Sequence, residues 1–222
     1  WSSDVCSSDL VSDLLSKFRE PVSSLTHLAG AFLSLIGLIL LIKYSLDISN
    51  VYNTIILAVF GVSSTYHQSL SSQKVIRILR RIDHSMIYVL IAGTYTPICL
   101  IALKGTIGTL LFFGIWILAF IGIVLKIVWF DAPRLLYTGF YILMGWISVI
   151  AIVPIIKAVS LGGFMWLLAG GLFYTVGAVI YATKRPKINL KLFGFHEIFH
   201  IFIILGSVCH FVLMFKYIMY IN

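Results

Sequence analysis

Apolar runs of membrane-spanning length recur along this chain, and they restrict its fold more than any other feature. A run of about 20 residues, wound as a helix at roughly 1.5 Å per residue, crosses the hydrocarbon core of a bilayer. Seven such runs lie between the charged residues: Val22–Ile42, Tyr52–Ser71, Ile82–Leu103, Gly108–Val128, Leu135–Ile155, Gly162–Tyr181 and Phe193–Phe215. Hydrophobic side chains make up 60% of the 222 residues and the mean hydropathy is +1.05. An ordinary soluble domain has an apolar share nearer half, so the class is membrane protein. The expected architecture is an all-α seven-transmembrane helix bundle over residues 22–218, preceded by a short cytoplasmic segment at 11–21 and carrying no separate soluble domain.

The first ten residues, Trp1 to Leu10, read as an in-frame translation of a sequencing-adapter oligonucleotide rather than native sequence, and they are set aside from fold reasoning. Cys6 goes with them. Cys99 and Cys209 remain, each alone in an apolar run, which suggests buried packing and not a disulfide framework or a CxxC metal site. Pro97 and Pro154 are expected to kink or end helices. Gly30, Gly37, Gly139, Gly145, Gly163, Gly170 and Gly177 permit close approach of neighbouring helices.

The net charge of +8 fits loops that face anionic headgroups, and a nucleic-acid partner is not expected. Sorting the basic residues by loop gives the orientation. Lys17, Arg19, Lys74, Arg77, Arg80, Arg81, Lys126, Arg134, Lys184, Arg185, Lys187 and Lys191 share one side, against Lys43, Lys104, Lys157 and Lys216 on the other. The richer side is cytoplasmic by the positive-inside rule, which puts the N-terminus inside and the C-terminus outside.

Polar residues inside a bilayer are expensive and mark function. In the last run, Phe195-His196-Glu197-Ile198-Phe199-His200 sets two histidines at i and i+4 on one helix face, a spacing that lets two imidazoles grip one metal ion. His67, near the inner end of the second run, falls at a similar depth, roughly 7 to 14 Å inside the cytoplasmic boundary at 1.5 Å per residue. Asp83 and His84 open the third run, and His27 lies near the inner end of the first; His210 alone sits well away from this layer. Any one histidine reads equally well as a hydrogen-bonded core residue. Three at one depth form a three-imidazole site with an open fourth position, the arrangement of catalytic zinc, although the same ligands also suit iron, cobalt, nickel or copper. Asp83 near the bilayer needs a partner. A water beside the metal and a salt bridge to Arg80 or Arg81 are the two readings.

Ser63-Ser64-Thr65-Tyr66-His67, Asp83-His84 after a basic loop, and His196-x3-His200 resemble the three motifs of the hemolysin III family and the wider progestin and adipoQ receptor family. The stretch Arg19-Glu20-Pro21-Val22-Ser23-Ser24-Leu25-Thr26-His27 resembles the start of a bacterial member. The resemblance implies a seven-helix bundle in a bacterial plasma membrane, with zinc on His67, His196 and His200. It implies also that Asp83 holds a water near the metal with Ser63 beside it. By position in the sequence, Ser64, His84, His27 and Glu197 are candidates to surround these groups. Alkaline ceramidase-like enzymes share the arrangement, so the resemblance extends to membrane-embedded hydrolases of lipid amides. His84 stands where the animal receptors commonly carry tyrosine, and their large extra domain is missing, so hormone recognition is not expected.

The leading expectation is therefore a zinc hydrolase of membrane lipids, with Asp83 as base and Ser63 placing the water or the oxyanion. A non-enzymatic sensor of membrane state with structural zinc, or a lytic pore, is the alternative. A third reading takes His196-Glu197-x-x-His200 as a zinc-protease helix with Glu197 as base. Against it, His67 and Asp83 complete a site without that carboxylate.

Overall fold

The computed structural model describes residues 29–30, 32–33, 35–37, 39–40, 73–129, 131–186 and 194–221, giving the backbone alone for 73–83. Helix is the only regular structure among the described residues, and the described residues of the first run are all helical. Its main elements are α1 (Gln73–Pro97), α2 (Thr106–Val128), α3 (Arg134–Trp146), α4 (Ile152–Thr183) and α5 (Phe195–Leu213). Among the described residues four helical stretches are long and apolar enough to cross a membrane: His84–Ala102, Thr106–Val128, Arg134–Thr183 and Phe195–Ile218. The second run of the sequence lies outside the described residues.

The stretch Arg134–Thr183 has 50 residues, about 75 Å of helix, more than twice a bilayer core. It folds back on itself. Ser160 adopts φ 62° and ψ 171° inside α4, where the helix breaks. Hydrogen bonds then pair the two halves in antiparallel order: Arg134 Nη1 donates to the Tyr181 carbonyl at 3.3 Å, and Trp146 Nε1 donates to Thr175 Oγ1 at 3.0 Å. The expected fifth and sixth runs are thus the two arms of a helical hairpin with Ser160 at its tip.

Both prolines act locally. The ring nitrogen of Pro97 has no hydrogen to donate, and α1 passes there into a π-helical turn, Ile98–Ala102. Pro154 does not end its helix. It stands in the first turn of α4, immediately after a 3-10 turn, Ile147–Ala151, and that turn takes up the change of register. In lipid the backbone groups freed by such a break need partners. Tyr95 supplies them: its hydroxyl donates to the Gly145 carbonyl at 2.7 Å and accepts from the Ser148 amide at 2.9 Å.

The region Gln73–Arg81, expected as a loop, is helical, and α1 runs without interruption from Gln73. No Gly or Pro occurs between Gln73 and Gly93, and the Arg, Leu and Ile residues there are adequate helix formers.

Helices α4 and α5 pack along a stripe of glycines. A Cβ on Gly163 would lie 3.1 Å from Tyr217 Cγ, one on Gly170 would lie 2.5 Å from His210 Cε1, and one on Gly177 would lie 3.1 Å from Phe202 Cβ. Gly206 gives the same clearance in reverse to Tyr174. Small residues let the backbones approach, and van der Waals packing then holds them. Gly139 and Gly145 have no such neighbour among the described residues. Among the described residues buried apolar side chains form two clusters. Tyr88, Ala92, Cys99, Ile115, Ala119 and Met144 bind α1 to α2 and α3, while Ile98, Leu103, Ile155, Val159 and Leu213 close the hairpin-tip end. Cys99 and Cys209 are free and buried, as their surroundings in the sequence suggest. Large apolar side chains also face outward, among them Phe113, Ile117 and Phe120 on α2 and Leu135, Leu143 and Ile150 on the hairpin. That surface suits lipid.

Candidate functional site

Helix α5 begins at Phe195, directly after Gly194, and its first turn fixes the paired histidines. Glu197 Oε2 accepts the Gly194 amide at 2.8 Å, satisfying one of the unpaired donors of the helix start and placing a negative charge at its positive end. One residue before and three after Glu197, His196 and His200 turn toward each other. Their Nε2 atoms are 3.1 Å apart and the rings stand at 90°. A shared proton satisfies that distance. So does a shared metal, because two ligands of a tetrahedral zinc with Zn–N bonds of about 2.0–2.1 Å stand about 3.3 Å apart. His200 is buried and His196 half-buried.

A band of aromatic rings joins this pair to α1 and α3. Tyr181 of α4 lies 6.2 Å from the His196 ring and 6.3 Å from the His84 ring, and Tyr137 lies 5.8 Å from His84. The hydroxyls of Tyr137 and Tyr181 are 3.5 Å apart, and Tyr141 donates to the His84 carbonyl at 3.0 Å. Two cations cover the band. Lys126 Nζ sits 3.8 Å above the Tyr137 ring, and the Arg134 guanidinium lies 4.8 Å from that of Tyr181. Helices α1, α2, α3, α4 and α5 therefore bring His84, Lys126, Arg134, Tyr181 and His196 to one end of the bundle.

A cavity of about 230 Å³ opens beneath this band. His84, His196 and His200 line one end of it; its walls are mainly apolar, with Ile87, Ile91, Leu168, Ile203 and Ile204 among them; and His210 lies at the far end. The 14 helical steps from His196 to His210 make it roughly 21 Å long. His210 is a core residue of the kind expected for a lone intramembrane imidazole. Its Nδ1 donates to the Gly206 carbonyl at 2.9 Å, and its ring stacks on Tyr174, whose hydroxyl bonds Ser207 at 2.8 Å.

Of the residues that the sequence singles out, the structure brings His196, His200 and His84 to one end of the cavity. Glu197 is on the same turn with its carboxylate on the helix start. Asp83 precedes His84 in α1, and its side chain is outside the described residues, as are His67, Ser63, Ser64 and His27. Among the described residues no group of three or more His, Cys, Asp and Glu is placed to hold a metal. Sequence reasoning passed over Tyr137, Tyr141, Tyr181 and Thr138. The available signal was polar-tipped side chains at helical spacing inside apolar runs, with Tyr137 and Tyr141 at i and i+4 and Tyr174 and Tyr181 at i and i+7.

Apolar helices around a cavity that ends in paired imidazoles define an integral membrane protein with a polar site inside the membrane. The chain belongs to the haemolysin-III related family, whose model matches residues 15–211. It is 38% identical over 200 residues to the hemolysin-3 homolog of Bacillus subtilis (strain 168), covering 87% of this chain and 91% of the relative. Hemolysin-3 of Bacillus cereus is 37% identical over 208 residues, covering 90% and 92%. The human monocyte to macrophage differentiation factor is a more distant relative, 23% identical over 172 residues and covering 76% and 69%, and it supports the link to the progestin and adipoQ receptor family.

Proposed function

We propose that this chain is a seven-helix protein of the bacterial plasma membrane, N-terminus inside and C-terminus outside, which hydrolyses a lipid amide at a zinc site in the cytoplasmic leaflet. The observation that carries this reading is the convergence of the His196 and His200 Nε2 atoms, 3.1 Å apart, at the end of a long apolar cavity. His196 and His200, with His67 as third ligand, would hold the zinc, which would supply Lewis acidity toward an acyl carbonyl and toward water. The chain's own groups do the rest. The apolar walls take the acyl chain, Asp83 takes the proton of the attacking water, and Ser63 orients that water or the developing oxyanion. His84, one residue after Asp83, lies in the same layer. The gathering of Lys126 and Arg134 at the histidine end supports a cytoplasmic position for that end.

Purified protein, never exposed to chelator, is expected to contain about one zinc per chain and to cleave an N-acyl sphingosine. Asp83→Asn keeps the shape of the carboxylate but cannot act as a base, so the metal should stay while turnover falls by orders of magnitude. Full turnover by Asp83→Asn would remove the base assignment. A wild type with zinc and an intact fold that cleaves no lipid amide would favour the non-enzymatic sensor. The names of the Bacillus relatives also suggest a lytic pore, but His84, His196 and His200, with the cations Lys126 and Arg134 near them, gather at one end of the cavity and only His210 lies at the other, so polar groups do not line a full span.

A further inference from the structure

Threonines inside these helices follow one habit. In apolar surroundings a helical threonine satisfies its hydroxyl on the carbonyl four residues back. Thr94 bonds Leu90 at 2.8 Å, Thr96 bonds Ala92 at 2.9 Å and Thr109 bonds Gly105 at 3.0 Å; Thr175 bonds Gly171 and Thr183 bonds Val179, both at 2.7 Å. Thr138 breaks the habit. It is 2% exposed, more deeply buried than Thr94 and Thr96, and among the described residues its Oγ1 has no hydrogen-bond partner. A hydroxyl is costly to bury in that state, and the carbonyl of Arg134 one turn back offers the usual solution.

Thr138 also lines the cavity. Its level is fixed by its neighbours on α3: the Tyr137 ring lies 5.8 Å from that of His84, and the Tyr141 hydroxyl bonds the His84 carbonyl at 3.0 Å. Through Tyr181 the same layer reaches His196. Thr138 therefore stands at the polar end of an apolar slot, in the layer of the imidazoles.

We propose that Thr138 Oγ1 is the hydrogen-bonding anchor for the amide linkage of the lipid that fills this cavity, an assignment that rests on the lipid-amide reading above. The acyl chain is held by apolar walls that have no directional preference and cannot set how far it slides. A hydroxyl that donates to a carbonyl or accepts from an N–H matches an amide, which carries both, and fixes the depth at which the linkage halts beside the imidazoles. Thr138 is then a positioning residue. It holds the substrate and takes no part in proton transfer.

The test uses the full chain in lipid nanodiscs as wild type, Thr138→Val and Thr138→Ser, with N-octanoyl sphingosine as probe and hexadecane as a chain without an amide. Thr138→Val is expected to bind the probe about 5- to 10-fold more weakly, the equivalent of one hydrogen bond. It should bind hexadecane as the wild type does, and Thr138→Ser should restore probe binding to within about twofold. Without probe, Thr138→Val should melt at or above the wild-type midpoint, because it removes a buried hydroxyl that the protein itself leaves unbonded. Equal probe affinity in wild type and Thr138→Val would overturn the assignment, and so would a lower midpoint of Thr138→Val without probe. A wild type that binds neither compound would instead overturn the lipid-amide reading, and this assignment with it.

Discussion

The Tyr95 hydroxyl accepts the backbone amide of Ser148 at 2.9 Å, from a helix 53 residues away in the chain. The same hydroxyl donates to the Gly145 carbonyl at 2.7 Å, so one side chain closes both backbone groups opened where α3 tightens into its 3-10 turn. Tyr95→Phe keeps the ring and strands an N–H and a C=O in an apolar interior. It is expected to lower stability by about 1–3 kcal/mol, read as a fall in melting temperature in detergent or nanodisc. An unchanged midpoint would mean that the break finds other partners.

The glycine stripe makes a contrast within one chain. Gly170→Ala puts a methyl 2.5 Å from His210 Cε1, against a ring that is itself stacked on Tyr174. Overpacking of this kind costs about 1–3 kcal/mol. Gly139→Ala meets nothing within 4 Å among the described residues. It should be neutral or slightly stabilising, since alanine is the better helix former by up to about 1 kcal/mol. Equal melting temperatures for the two variants would contradict the packing of α4 on α5.

Run length and charge made the helical stretches legible in the sequence. The expected Gly108–Val128 is α2 to within two residues, and the paired histidines of the seventh run converge as their i, i+4 spacing requires. Hydropathy could not reveal the helix from Gln73, because its windows follow apolarity and the residues there are charged although they are good helix formers. The partners of the site were hidden for another reason. Tyr137 and Tyr181 join the site because distant helices place them beside His84 and His196, and no local spacing encodes that meeting. One sequence periodicity likewise cannot tell which face meets a neighbour: Gly163, Gly170 and Gly177 meet close neighbours, while Gly139 and Gly145 meet nothing within 4 Å among the described residues.

Ser160 carries the reversal between the hairpin arms at φ 62° and ψ 171°, a region that essentially only glycine occupies without strain. Ser160→Gly is therefore expected to stabilise the protein by about 0.5–2 kcal/mol, the relief of strain less the entropy of the freer unfolded chain. The hairpin also predicts sidedness. In a background without Cys6, Cys99 and Cys209, single cysteines at Ser160 and Lys184 should react with a membrane-impermeant maleimide from opposite faces. Labelling of both from one face would rule out two antiparallel spans.

His196, Glu197 and His200 occupy one turn, yet the structure gives them different roles, and substitution can separate these. His196→Ala or His200→Ala removes one of two converging nitrogens, so zinc content should fall and thermal stability with it. The loss is about 4 kcal/mol if zinc is present at a thousand times its dissociation constant. Glu197→Gln is the informative partner. As a cap, Glu197 only accepts the Gly194 amide, and glutamine retains an oxygen that accepts the same bond, so metal content and hydrolysis should stay near wild type. Glu197→Ala should cost about 1 kcal/mol of stability through the lost cap and little else. If Glu197 were the base of a zinc protease, Glu197→Gln would abolish turnover while zinc stayed bound. Zinc content, melting temperature and lipid-amide hydrolysis measured together on these four variants assign the carboxylate to the helix start or to the chemistry.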